Sequence, residues 1–347
     1  MLGKAEQPST RGGRQAEIVS LQYLRAAAAM LVVFHHARNP SNGLFNPIAH
    51  WNFGQAGVDM FFLISGYIMY TVARNEQPIR FLRRRIIRIV PLYWIATLFL
   101  YLQVMIGFPG VLPAPDQLLR SLLFIPQFHL QTKTEIWPFL AAGWPLQYEM
   151  YFYAMFAIGL AFRRPLAITL TVGAIVVIIG QLGFGDTSSA IFLAYTSPII
   201  TEFFQGMLIA VIHQRRSLAN LWAALPIGLV ALFFVGNLDA PRLLIWGLPS
   251  TLILIGCLAL EDAKRMPSVP LFKLLGDASY SIYLSHAFVL QIGLLLWWKV
   301  PVTGWTQFVI FTPTAVVGCT FIGVLVYRYI EQPMLWRGQR KPQVAAA

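Results

Sequence analysis

Uncharged apolar runs of membrane-crossing length recur from one end of this chain to the other, and they restrict it more than any other feature. Leu243 to Leu260, for example, holds no charged residue. A helix needs about 20 such residues to cross the hydrocarbon layer, and lipid admits only backbones whose polar groups are satisfied internally. The chain is 57% hydrophobic and 12% charged. A soluble domain carries about 25% charged residues, so this composition cannot cover a water-facing globule.

The expected fold is therefore an all-α polytopic membrane protein of about ten transmembrane helices. The runs fall near 19–37, 57–73, 86–107, 144–162, 166–183, 191–212, 219–236, 242–260, 279–298 and 305–329. Residues 1–18 read as a polar cytoplasmic tail without a cleaved-signal pattern, 19–329 as one transmembrane domain, and 330–347 as a cytoplasmic C-terminal tail. The longest loop, 108–143, contains LLRSLLFIPQF, which suggests a short interfacial helix. Cys257 and Cys319 stand far apart in apolar runs, which argues against a disulfide framework or a metal site.

The net charge of +12 is explained by topology. With the N-terminus in the cytoplasm, 20 of the 26 lysines and arginines fall on inside segments. Arg38, Arg120, Lys133, Arg242 and Lys299 fall outside, and Arg25 lies within a helix. Such a bias obeys the positive-inside rule and places both termini in the cytoplasm. The basic residues alternate among loops and form no basic domain, so nucleic-acid binding is not expected.

The first helix, YLRAAAAMLVVFHHARN, carries Arg25 near its start and His35 and His36 near its end. Arg25 and His36 are eleven residues apart. Eleven steps of about 100° return to the same face about 16 Å further along the axis, whereas His35 points about 100° away. Either these groups reach out to the two interfaces, or they face the bundle and do chemistry, the default for ionisable residues at membrane depth.

Asp59 enters the second helix at about the depth of His36, so an imidazole–carboxylate contact is open, as is a simple helix-start role. Ser65 lies further down in LISGY, which lacks the spacing of a nucleophile elbow. Arg85 and Arg88 in FLRRRIIRIVPLYW share a face at i, i+3. They suit phosphate, unless the cluster only sets topology. Glu149 in GWPLQYEMYFY falls in the outer half, where a carboxylate avoids lipid. SYSIYLSH supplies Tyr283 and His286, the latter with a packing or a catalytic role. Glu331 has Arg328 as an i, i+3 partner. Together these residues outline a path: arginines at the cytoplasmic mouth, then Arg25, then His36 with Asp59 and Glu149.

In this order the motifs resemble the membrane-bound acyltransferase 3 family. The resemblance is carried by Arg25 and His36 at their spacing, by Gly57 to Gly66, and by Arg85 and Arg88 before Pro91, Tyr93 and Trp94. Trp144, Leu146 and Glu149, the SYSIYLSH block, and Ile330 to Pro333 complete it. The chain departs from the family pattern at Pro145 and Gln147, where serines are usual. It looks most like short members associated with exopolysaccharide acetylation.

The resemblance implies ten membrane helices in a bacterial inner membrane. It also implies transfer of an acyl group, most often acetyl, from cytoplasmic acyl-CoA to a hydroxyl of a polysaccharide or lipid-linked sugar. Acyl-CoA is then a co-substrate, and no tightly bound cofactor is expected. His36 becomes the candidate general base, with Asp59 and Glu149 beside it. Arg25, Arg85 and Arg88 become candidate donor-binding residues, and His35, Ser65, Tyr283 and His286 further candidates. An acyl-histidine intermediate stays open. The alternative is a transporter or flippase of a lipid-linked sugar, a class in which internal repeats are common; none is visible in this chain.

Overall fold

The computed structural model describes residues 18–38, 44–107 and 112–339. Most of the expected N-terminal tail, and Arg340 and Lys341, lie outside these residues. Among the described residues the fold is all helix, with no strand. The α-helices are α1 Val19–Ala37, α2 Ala56–Ala73, α3 Pro78–Gly107, α4 Pro115–Leu122, α5 Trp144–Ala161, α6 Pro165–Gln181 and α7 Ala190–Tyr195. They continue with α8 Thr201–Arg215, α9 Ala224–Val235, α10 Leu248–Asp262, α11 Pro270–Asp277, α12 Ser279–Trp297, α13 Gly304–Val326 and α14 Gln332–Gln339.

Each apolar run is helical, but several differ from expectation in detail. The helix expected from 86 begins at Pro78, so the arginine cluster is helical rather than part of a loop. The run at 191–212 is broken: α7 ends at Tyr195, and a short 3₁₀ turn at Pro198–Ile200 precedes α8. Pro198 has no N–H to give, and Ser197 caps the new start by accepting from the Ile199 N–H. Beyond 329 the described chain stays helical as far as Gln339. It passes through a π turn at Tyr327–Glu331 into α14. The 108–143 loop contains a short helix, α4, which covers only the LLRSL start of the expected LLRSLLFIPQF stretch.

Among the described residues six helical stretches are long and apolar enough to cross a membrane: Phe53–Ala73, Pro78–Gly107, Ala190–Arg215, Leu243–Asp262, Ser279–Trp297 and Gly304–Trp336. The segments α6 and Ala219–Val235 are apolar but shorter. Large apolar side chains lie exposed on the outward faces, among them Phe99, Leu102, Ile178, Phe234, Leu295, Val317 and Phe321. Such a surface is untenable in water and natural in lipid.

The sequence puts α1 at the centre. It packs against α2, α10, α11, α12 and α13, and Ala28, Ala29, Val33 and Ala37 are fully buried. Small side chains let two neighbours approach to backbone contact. A Cβ on Gly57 of α2 would lie 2.4 Å from the Ala28 carbonyl oxygen, and one on Gly276 of α11 would lie 2.3 Å from that of Gln22. The N-terminus of α1 is capped from α10. Glu261 accepts the Val19 N–H at 2.8 Å and the Ser20 N–H at 2.9 Å, and also the Ser20 hydroxyl. These are helix-end donors that would otherwise be orphaned, and a carboxylate there also suits the helix dipole.

Candidate active site

The helices around α1 leave two cavities that share Val58 as a wall. The first, of about 120 Å³, is lined by Arg25 of α1, Ser65 of α2, Arg85 and Arg88 of α3, and Glu149 and Tyr153 of α5. Ser279, Tyr280 and Tyr283 of α12 close it. Arg25 Nη2 donates to Ser279 Oγ at 3.1 Å. The Arg85 guanidinium lies over the rings of Phe81 and Tyr153, 5.6 and 5.9 Å from their centroids, and its buried Nε has no hydrogen-bond partner. Arg80 and Arg84, on the same helix, pair with Glu76. Among the described residues Arg85 and Arg88 make no ion pair. Glu149 accepts from Ser65 Oγ at 3.0 Å and from the Tyr153 hydroxyl. Among its lining residues this arginine cavity thus sets three guanidinium groups against one carboxylate, while outside the lining the charges of Glu331 and Asp277 also act on Arg25, and that of Glu331 on Arg88.

The second cavity, of about 510 Å³, is a vestibule lined by His35, His36, Gln55, Thr134, Glu135, Trp137, Trp144, Tyr148 and Arg242, among others. Its wall at 134–137 belongs to the connection between α4 and α5. A tight turn shapes it, with the His129 N–H bonded to the Glu135 carbonyl at 2.8 Å and the Lys133 N–H to the His129 carbonyl at 2.9 Å. The same connection is fastened to the bundle by Ser121, whose Oγ accepts the Phe139 N–H at 2.8 Å, and by Gln147, which donates to the Ile125 carbonyl at 3.2 Å.

The two adjacent histidines are distinguished by their hydrogen bonds. His36 Nδ1 faces the Val32 carbonyl at 2.9 Å. A carbonyl only accepts, so Nδ1 carries the proton and the neutral ring keeps its lone pair on Nε2. His35 Nδ1 receives Arg38 Nη2 at 3.1 Å. A guanidinium only donates, so the His35 lone pair is occupied and its proton sits on Nε2. His36 is solvent-exposed within the vestibule. Of the pair, it alone is built to accept a proton there.

His286 joins it. The ring is buried, its centroid lies 4.9 Å from that of His36, and its Nδ1 donates to the Tyr283 carbonyl. Tyr283 in turn donates to the Ala142 carbonyl at 2.5 Å. The candidate role of His286 is therefore a contact with His36, while Tyr283 and Ser65 line the arginine cavity.

Three expectations are corrected. Asp59 does not hold His36; its fully buried carboxylate is taken by Arg242, with Nη2 to Oδ2 at 2.6 Å and Nε to Oδ1 at 3.1 Å. A permanently charged fork on the start of the Leu243–Asp262 stretch outcompetes an imidazole for that carboxylate. Glu149 belongs with the arginines rather than with His36, because α5 turns its Trp144 and Tyr148 to the vestibule and Glu149 to the other cavity. Glu331 is buried and accepts from Ser281 Oγ at 2.5 Å, and no bond to Arg328 appears among the described residues.

The residue missed by sequence reasoning is Arg242, which appears there only as a loop charge. Its guanidinium also lies 4.6 Å from the Trp246 ring and 5.7 Å from Trp144. Glu202 of α8, buried against Gly247, was likewise unmarked. No group of side chains among the described residues has a metal-binding arrangement.

A bundle that sets a guanidinium-lined cavity beside a histidine vestibule suits group transfer between two ligands, and comparison with known proteins gives the class. The acyltransferase-domain family (acyltransferase 3) matches residues 18–324, and the chain belongs to it: it is a multi-pass membrane acyltransferase. A curated relative, the exopolysaccharide production protein ExoZ of Rhizobium meliloti (strain 1021), is 35% identical over 312 residues, covering 84% of this chain and 93% of the relative. No solved structure matches.

Proposed function

We propose that the protein moves an acyl group, in the first instance acetyl, from acyl-CoA to a hydroxyl of an exopolysaccharide or its lipid-linked precursor. The observation that carries this reading is the meeting of the arginine cavity and the His36 vestibule at Val58. Coenzyme A is a polyanion on a long flexible arm. Among the described residues Arg85 and Arg88 have no ion-pair partner and suit its phosphates, and Arg25 lines the same cavity for the arm to pass.

In the reaction, His36 Nε2 takes the proton of the sugar hydroxyl as its oxygen attacks the thioester carbonyl. The tetrahedral oxyanion is stabilised by a nearby guanidinium or backbone dipole. It collapses to the ester, the carbon–sulfur bond breaks, and the thiolate takes the proton back from the His36 imidazolium. General base catalysis of this kind is worth about 10²–10⁴-fold. His286, against the same ring, limits its rotation. The exopolysaccharide acceptor follows the name of the ExoZ relative, and the orientation follows the basic loops: donor on the cytoplasmic side of a bacterial inner membrane, both termini inside, about ten crossings.

The test is acetyl transfer by the purified full-length protein in nanodiscs, supplied with radiolabelled acetyl-CoA and de-O-acetylated polysaccharide. The His36→Ala protein should bind acetyl-CoA and keep its melting temperature while transfer falls at least about 10²-fold. Undiminished transfer in that variant would falsify the mechanism.

A further inference from the structure

The vestibule is not a neutral extension of the arginine cavity, and its composition points to the kind of ligand it takes. Trp137, Trp144 and Tyr148 present three aromatic rings to one space. Trp144 is held edge-on by Tyr148, with centroids 5.9 Å apart at 88°, and by Phe62 at 6.4 Å and 87°. Trp137 is braced on the other wall by His129, 5.7 Å away. Rigid aromatic faces bind flat, weakly polar CH-bearing surfaces, and the faces of pyranose rings are such surfaces. Around the rings stand Gln55, Thr134, Glu135 and the His35 Nε2–H, a mixed set of donors and acceptors. The volume, about 510 Å³, falls within the roughly 300–1,000 Å³ of small-molecule sites.

The charge balance then decides between sugars. Among the described residues the only guanidinium lining the vestibule is Arg242, and Asp59 neutralises it through two hydrogen bonds from full burial. Glu135 adds a carboxylate at the exposed rim. Arg38, behind His35, does not line the vestibule and spends its guanidinium on the Ile48 carbonyl, Asn52 Oδ1 and His35 Nδ1. Among the described lining residues an acidic sugar would therefore meet no uncompensated cation and one like charge. We infer that the vestibule is the acceptor subsite and that it takes a neutral hexose unit, stacked on Trp137 and Trp144, in preference to a uronic acid. The inference rests on the acyl-transfer reading for the word acceptor, but the sugar site itself is measurable without any donor.

The experiment uses the full-length protein in nanodiscs without acyl-CoA. Binding of a panel of short neutral hexose oligosaccharides, and of the matched hexuronic-acid oligosaccharides, is followed by saturation-transfer NMR and titration. Neutral members should bind, their uronide counterparts should bind more weakly, and Trp137→Ala and Trp144→Phe should each weaken the neutral ligand, the former by roughly tenfold. Acetyl-CoA binding, measured in parallel, should be unchanged in both variants, which shows that they are folded. Glu135→Lys should narrow the gap by improving uronide binding about threefold at low salt. Uronides binding more tightly than neutral sugars, binding indifferent to both tryptophans, or no binding by any member of the panel would each overturn the inference. Failure of acetyl-CoA to bind while neutral sugars do would instead strike the acyl-transfer reading and leave the sugar site standing.

Discussion

The arginine cavity and the histidine vestibule share Val58, yet one is lined by three guanidinium groups and a single carboxylate, the other by three aromatic rings and a guanidinium already held by Asp59. Both contain buried or half-buried cations. What differs is whether a carboxylate of the protein binds the guanidinium directly. Where Arg85 and Arg88 are left without an ion pair, the protein bears a desolvation cost that an anionic ligand relieves. Where Arg242 is chelated by Asp59, that cost is met internally, and the side chain becomes a rigid wall. Counting arginines in a membrane bundle therefore says less than finding their partners.

The largest test of this contrast is chemical. His36→Ala should lower kcat about 10²–10⁴-fold with little change in the KM for acyl-CoA, since His36 lies outside the arginine cavity; single-turnover kinetics check both. The second test removes an internal counter-charge. Asp59→Ala leaves Arg242 unpaired against Trp246 and should destabilise the protein by about 3–5 kcal/mol, as breaking a buried ion pair does. The melting temperature in detergent reads the loss.

Arg88→Ala is the reciprocal case. It breaks no ion pair, so stability should hold while the KM for acyl-CoA rises about 10- to 100-fold, the worth of a hydrogen bond to a charged group. An equal drop in melting temperature for Arg88→Ala and Asp59→Ala would erase the distinction between the cavities. The smallest effect is ionic. Raising salt from low to moderate strength should weaken acyl-CoA binding severalfold and leave neutral-sugar binding unchanged, a difference that isothermal titration resolves.

The helices and the i, i+3 arginine pair were legible in the sequence because each is a periodic or compositional signal. The spacing of Arg25 and His36 singled out His36 by helix face, whereas in the structure both histidines line the vestibule and their hydrogen bonds tell them apart: one ring keeps a lone pair and the other has lost it to Arg38. Tautomers are set by partners, and partners are not periodic. Asp59 failed for the same reason. Depth alone matched it to His36, while its true partner lies 183 residues away. Glu149 was misplaced by facing: it follows Tyr148 by one residue, and that step of about 100° turns it from the vestibule to the arginine cavity. The break before α8 was signalled by Ser197–Pro198, a mark that hydropathy averages away.

The backbone contacts that Gly57 and Gly276 make with α1 give this helix the character of a fixed ruler. It cannot slide or roll without driving peptide into peptide, and Glu261 pins its zero mark. The interval between Arg25 and His36 is then graduated by the α-helical pitch alone. A single residue inserted between them would turn His36 by about 100° and advance it only about 1.5 Å, facing it away from the vestibule. On the proposed reading that interval sets the reach required of the acyl donor, and a donor with a shortened arm should fail on length even when its headgroup fits.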